Sequence, residues 1–160
     1  MEFPILYIAV GLPGSGKSTF FRNHKFENTV YVSRDLIRYD LLGDDEEYFA
    51  HENVVFKTFV NALSFALKSG QNAIADATHL TRKSRAKLIN AINQNITLYS
   101  IVFVYFDTPY VECIDRNEHR SGRAYVPEKV IENMSDSLEI PQLSEFSKCY
   151  NIITVTNSRR

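Results

Sequence analysis

The residues of this 160-residue chain whose types and spacing suit chemistry fall in four short segments. The first is Gly11-Leu12-Pro13-Gly14-Ser15-Gly16-Lys17-Ser18, which fits G-x-x-x-x-G-K-[ST] at every fixed position. Average residue usage produces such a match by chance in about 0.5% of chains this long. Glycines let the backbone curl so that successive N–H groups point inward at phosphate oxygens. A helix starting near Lys17 adds its positive end to the same anion site. In such a loop the lysine reaches the β- and γ-phosphates, and the serine hydroxyl ligates Mg²⁺. Gly14, Ser15, Gly16, Lys17, Ser18 and Thr19 are therefore the candidate nucleotide-binding residues. ATP and Mg²⁺ are the expected cofactors, with Ser18 as the metal ligand.

The second segment is Ser33-Arg34-Asp35-Leu36-Ile37-Arg38. An aspartate just past a strand end can accept the proton of an attacking hydroxyl, in line with a γ-phosphate. Arg38, three residues on, shares a helix face with Asp35 and could grip an acceptor phosphate by its fork of donors. Pattern alone equally allows Asp35 as a helix N-cap and Arg38 as a solvated charge. The third segment, Ala75-Asp76-Ala77-Thr78-His79, ends another strand in a carboxylate. Asp76 could hold Mg²⁺ through water or orient Asp35 or Arg38, or simply cap the turn. His79 reads as an ordinary solvated or hydrogen-bonded histidine. The fourth carries Arg116, Arg120 and Arg123, with Arg116 and Arg120 on one helical face. Such arginines can clamp a transferring phosphoryl group from a lid hinged at Gly122, or belong to a salt-bridged surface helix. A further run, 82–87, places four cations at a helix start, where the dipole disfavours them; it could trace a nucleic-acid backbone or be an ordinary solvated helix start.

The elements that must carry these residues alternate strand and helix. The apolar run 3–10 suits a strand buried on both faces, followed by the loop and a helix over 17–24. Strands are expected at 29–33, 72–76, 97–106 and 150–156. Helices are expected at 34–42, 46–69 (with Phe49, Phe56, Phe59, Val60, Leu63 and Leu67 at helical spacing), 81–93 capped by Thr81, 109–121 and 127–138. This alternation means an α/β fold with a central, mostly parallel five-stranded sheet flanked by helices. No run is long enough to span a bilayer, and the polar 157–160 is the only loose end.

Composition narrows the function classes. Lys+Arg number 18 and Asp+Glu 19, for a formal net charge of -1, so a globally basic nucleic-acid binder is excluded while a local basic groove is not. Acids such as Asp44, Asp45, Glu46 and Glu47 are expected away from the motifs. Cys113 and Cys149 fit no metal spacing and suit a reduced, cytoplasmic protein.

In order along the chain, GLPGSGKST at 11–19, SRDLIR at 33–38, ADATHLTRKSR at 75–85 and FDTPYVECIDRNEHR at 106–120 resemble the kinase domain of the 5′-hydroxyl polynucleotide kinases. These are the phage end-healing enzyme and its bacterial RNA-repair relatives. The resemblance implies a P-loop kinase fold over 1–160 as one domain, with a helical lid at about 112–127. It implies Asp35 as general base, Arg38 on the phosphate beside the acceptor hydroxyl, and Arg116, Arg120 and more loosely Arg123 on the donor phosphates. The family's D-x-T-N appears as Asp76-Ala77-Thr78-His79, giving Asp76 and Thr78 to the substrate and putting histidine where the family has asparagine. The implied partners are 5′-OH ends of RNA or DNA, with separate ligase or phosphatase enzymes for the next step.

Two other function classes fit the same residues. One is a kinase of the same superfamily acting on a small molecule, a tRNA-linked group or a toxin-type substrate, which the near-neutral charge suits. The other is a nucleotide-gated binding module, against which the intact Lys17, Ser18 and Asp35 set argues.

Overall fold

A computed structural model describes residues 2–43, 45–47 and 49–156; Asp44 and the polar 157–160 lie outside these. The strands are β1 (Ile5–Val10), β2 (Thr29–Ser33), β3 (Asn72–Asp76), β4 (Ser100–Asp107) and β5 (Cys149–Thr156). The helices are α1 (Lys17–Asn23), α2 (Arg34–Leu41), α3 (Glu52–Lys68), α4 (Arg82–Asn93), α5 (Tyr110–Glu118) and α6 (Glu128–Ser137). The five strands form one sheet in the order β2-β3-β1-β4-β5, parallel at every pairing.

Apolar periodicity decides which side of the sheet each residue serves. Leu6, Ile8 and Val10 of β1 alternate onto one face, where they meet Phe59, Val60, Leu63 and Leu67 of α3 and Leu88, Ile89 and Ile92 of α4. On the other face Ala9, Ile74, Val104 and Phe106 pack with Phe21 of α1. Both faces are thus covered, which is why β1 and β4 read as continuous apolar runs. A smaller cluster, Leu12, Leu80 and Cys113 with Met134 and Leu138, seats α5 and α6 on the glycine loop. No helix among the described residues is long and apolar enough to cross a membrane.

Two helix boundaries differ from the sequence expectation by more than two residues. The helix expected over 46–69 starts only at Glu52, and Phe49 lies in an exposed turn off it. Gly43, Asp45 and Glu46 favour a turn there, closed by the Glu46 N–H donating to the Gly43 carbonyl. The C-terminal stop is as expected: the N–H groups of Gly70 and Gln71 donate to Leu67 and Ala66 carbonyls in a Schellman arrangement. The helix expected over 109–121 ends at Glu118, so Arg120 lies beyond it rather than sharing a helical face with Arg116.

β1 and β3 lie side by side in the sheet, yet β1 connects leftward to β2 and β3 connects rightward to β4. Where neighbouring connections diverge, a crevice opens at the carboxyl ends of the strands. The four motif segments all begin there.

Candidate active site

The glycine loop leaves β1 at Val10 and enters α1 at Lys17, and its shape depends on missing side chains. Gly14 has φ 80°, and a Cβ there would stand 2.6 Å from the Cys113 carbonyl oxygen. A Cβ at Gly11 would stand 2.6 Å from the Ser15 hydroxyl. Ser15 Oγ is buried without a hydrogen-bond partner among the described residues. The loop is also tied from outside: the Gly11 N–H donates to the Thr78 carbonyl at 3.0 Å, and the Thr108 hydroxyl donates to the Ser15 carbonyl at 2.8 Å.

Lys17 folds back over the loop, its ammonium donating to the Gly11 and Leu12 carbonyls at 3.0 and 2.8 Å. That engages two of its three donors. Burial pushes its pKa below the ordinary lysine value, opposed by the carboxylates of Asp76 and Asp35. The Ser18 hydroxyl donates to Asp76 Oδ2 at 3.2 Å. Tyr31 of β2 donates its phenol to the same oxygen, and burial followed by this carboxylate lifts the Tyr31 pKa to about 12. Asp76 is therefore a strand-end acid with specific partners rather than a turn cap. Its own pKa is raised, because burial outweighs the help of Lys17, Tyr31 and Ser18.

These residues fit ATP and Mg²⁺ on two observations. The loop is a cradle that added side chains would fill, with a helix N-terminus at its mouth. Asp76, with Ser18 beside it, is a buried carboxylate short of positive charge, which a divalent cation supplies. No group of three or more His, Cys, Asp and Glu side chains able to hold a metal occurs among the described residues. Mg²⁺ suits such a place, since it takes one or two protein oxygens and completes its shell with phosphate and water.

Asp35 and Arg38 stand across the crevice, at the start of α2. Ser33, not Asp35, caps that helix: its side chain accepts from the Leu36 N–H at 3.2 Å. Asp35 stands in the first turn with its side chain 60% exposed. Arg38 is buried, its Nη1 donating to Asp35 Oδ1 at 2.8 Å and its Nε and Nη2 to the two oxygens of Glu52. Glu52, the first residue of α3, also accepts from Arg34 Nη2 at 2.9 Å. Burial raises the Glu52 carboxyl, but the Arg38 and Arg34 guanidiniums outweigh it and hold it below its ordinary value. Lys17, Ser18, Asp35, Arg38, Asp76 and Thr78 all line one cleft of about 1390 Å³. Glu46 lines it too, against the expectation that the 44–47 acids keep away, and its carboxylate meets the His51 ring.

The arginines of the expected lid take three different places. Arg116 donates to the Gly14 carbonyl at 3.3 Å and faces Glu112 at 3.5 Å. Arg120 and Arg123 line the cleft, and Arg123 reaches across it to the Gly43 carbonyl at 2.9 Å. The loop holding them is closed by Asn117, whose side chain donates to the Val126 carbonyl at 2.6 Å and accepts from its N–H at 3.0 Å. Thr19 is exposed on α1, just past Ser18.

Glu52, Tyr31 and Asn117 escape sequence reasoning, since each acts on a partner more than a helical turn away. Only Asn117 sits inside a quoted motif. The 82–87 run divides: Arg85 is fully buried, pairing with Glu145 at 2.8 Å and donating to the His79 and Glu139 carbonyls, whereas Lys87 lines the cleft. His79 is likewise buried, with φ 44°. Its Nδ1–H donates to the Ala9 carbonyl at 2.8 Å, and burial drives its pKa down to about 4, so the ring is neutral. A left-handed backbone at that position suits asparagine as well as histidine.

Comparison with known proteins agrees with this fold. A model of the AAA domain family matches residues 6–141. The L-seryl-tRNA(Sec) kinase of Methanococcus maripaludis is 28% identical over 143 residues, covering 86% of this chain and 53% of that protein. This chain thus spans about half the length of that curated relative. Among solved structures, a chain of the Pnkp1/Rnl/Hen1 RNA repair complex superposes with a TM-score of 0.71 at 31% identity, covering 86% of this chain and 45% of that one. A fungal RNA kinase superposes with a TM-score of 0.70 at 13% identity, covering 99% of this chain and 40% of that one, a likeness of fold. The glycine loop between β1 and α1, the all-parallel sheet and the family match have one explanation: this chain belongs to the AAA domain family and has the fold of the P-loop kinases.

Proposed function

We propose that this chain is an ATP-dependent kinase that transfers the γ-phosphate to the 5′-OH end of a polynucleotide. The observation that carries this reading is the Asp35–Arg38 pair lining the same cleft as Lys17, near enough for the Asp35 carboxylate to act on the lysine's charge. A phosphate-binding lysine and an exposed carboxylate on opposite walls are what in-line phosphoryl transfer to a hydroxyl requires. Lys17 and the loop N–H groups hold the β- and γ-phosphates, and Ser18 with Asp76 holds Mg²⁺, which neutralises charge on the phosphates when bound. Asp35 takes the proton of the attacking hydroxyl. Arg38, aimed by Glu52, meets the acceptor phosphate next to that hydroxyl. Arg120 and Arg123 approach the donor phosphates from the lid, and Arg116 braces the loop through the Gly14 carbonyl. The likeness at 31% identity to a chain of an RNA repair complex supports a polynucleotide acceptor.

The match to an L-seryl-tRNA(Sec) kinase favours a second reading, in which the hydroxyl is carried by an aminoacylated tRNA. A competition assay separates the two. With ATP fixed, the chain is offered a 5′-OH, 3′-phosphorylated oligonucleotide and a seryl-tRNA together. The first reading predicts label on the oligonucleotide alone; label on the seryl group would reverse the assignment.

A further inference from the structure

Arg34 is the first residue of α2 and lines the same cleft, yet the reaction proposed above leaves it without a task. Its Nε is buried and has no hydrogen-bond partner among the described residues, while Nη2 donates to Glu52. A buried guanidinium N–H left unsatisfied is costly, more so at the first position of a helix, where the dipole opposes a cation. The guanidinium carbon lies 5.5 Å from the centre of the Phe56 ring, and Lys87 Nζ lies 4.6 Å from that same ring. Phe56 and Lys87 both line the cleft. This end of the cleft therefore carries Arg34, Arg38 and Lys87 against Asp35 and Glu52, three cations to two acids. Glu46, another acid of the cleft, turns its carboxylate to the His51 ring rather than to Arg34 or Lys87.

We propose that Arg34 and Lys87, held on Phe56, form a second anion subsite that takes a phosphate of a polynucleotide acceptor other than the one facing Arg38. This rests on the acceptor half of the reading above and narrows it: the preferred acceptor carries at least two phosphates. The shared aromatic ring fixes both cations without neutralising them. Glu52 and Asp35 offset the Arg34–Arg38 pair, and among the described residues no carboxylate pairs with Lys87, so an arriving phosphate still meets an unneutralised cation. A phosphate also gives the unsatisfied side of the Arg34 fork the charge-assisted partner it lacks.

The test uses Arg34→Gln and Lys87→Gln, with Arg34→Lys as a variant that keeps the charge beside Glu52 but loses the fork. Binding of a fluorescent 5′-OH oligonucleotide is followed by anisotropy over a range of NaCl concentrations. Each glutamine variant is expected to flatten the plot of log Kd against log salt by about 0.7, and Arg34→Lys to leave that slope as it is. In transfer assays, the preference in kcat/KM for a 5′-OH trinucleotide over a nucleoside 3′-phosphate should fall about tenfold in the glutamine variants, and by part of that in Arg34→Lys. Slopes that match wild type overturn the subsite. So does an equal loss on both acceptors, which marks Arg34 as a purely structural partner of Glu52. Absence of transfer to any nucleic acid refutes the kinase reading instead, and the salt slopes then decide the subsite alone.

Discussion

On one wall of the cleft, Asp76 ends a buried parallel strand and Lys17 opens α1 just past the glycine loop, which is bonded to Thr78, Thr108 and Arg116. On the other wall, Asp35 is exposed and Arg38 owes its direction to one carboxylate, Glu52, supplied by a different helix. The donor wall is a product of backbone: glycines, a strand end and a helix N-terminus, fixed by main-chain geometry. The acceptor wall is a product of charge: two arginines and two acids brought together by the packing of α2 on α3. In the reading proposed above, phosphate binding is thereby built into the fold, whereas acceptor choice is carried by side chains that can change without disturbing the sheet.

The difference predicts distinct responses to substitution. Lys17→Ala strikes the donor wall at its charge and should lower kcat by about 10³-fold, the scale for removing a donor at developing charge. Steady-state transfer rates check this, and a loss confined to KM for the acceptor would contradict the assignment of Lys17. The donor wall should also respond to acid through His79, whose pKa is held below its ordinary value. Between pH 6.5 and about 4 the unfolded chain binds a proton that the folded chain refuses. Stability should therefore be fully present above pH 6.5 and fall by about 3 kcal/mol as pH drops through that window. His79→Asn suits the left-handed backbone and should remove this part of the slope in urea titrations run from pH 7 to 4; an unchanged slope would show that another group titrates. The acceptor wall should give a smaller and different effect. Glu52→Gln keeps the shape but weakens the hold on Arg38, and kcat/KM for the acceptor should fall about tenfold, with ATP affinity intact. Equal losses for ATP and acceptor would erase the distinction between the walls.

How much of this was legible from residues alone follows the same division. The P-loop, the strand order of chemistry along the chain and the extents of β2 and β3 could be read because each depends on local spacing and apolar period. Asp35 and Arg38 were legible as a pair, since three residues on a helix are neighbours. Glu52 was not, because the 46–69 stretch reads as one helix and only the packed structure starts it at Glu52, beside Arg38. Arg85 misled for a related reason: its basic neighbours suggest a solvated face, but burial and Glu145, sixty positions away, turn it inward. Tyr31 sits in a short strand whose alternation gives its face but not its Asp76 partner.

The central claim is that Asp35 and Lys17 work on one phosphoryl group from opposite walls of one cleft. The most direct measurement incubates wild type and Asp35→Asn with γ-labelled ATP, Mg²⁺ and a 5′-OH, 3′-phosphorylated oligonucleotide, and maps the label after nuclease digestion. The account predicts label on the 5′ end with wild type, and a rate at least about 10²-fold lower in the variant although it binds ATP equally well. A folded, ATP-bound wild type that leaves the 5′ end unlabelled, or a variant that turns over undiminished, would contradict it.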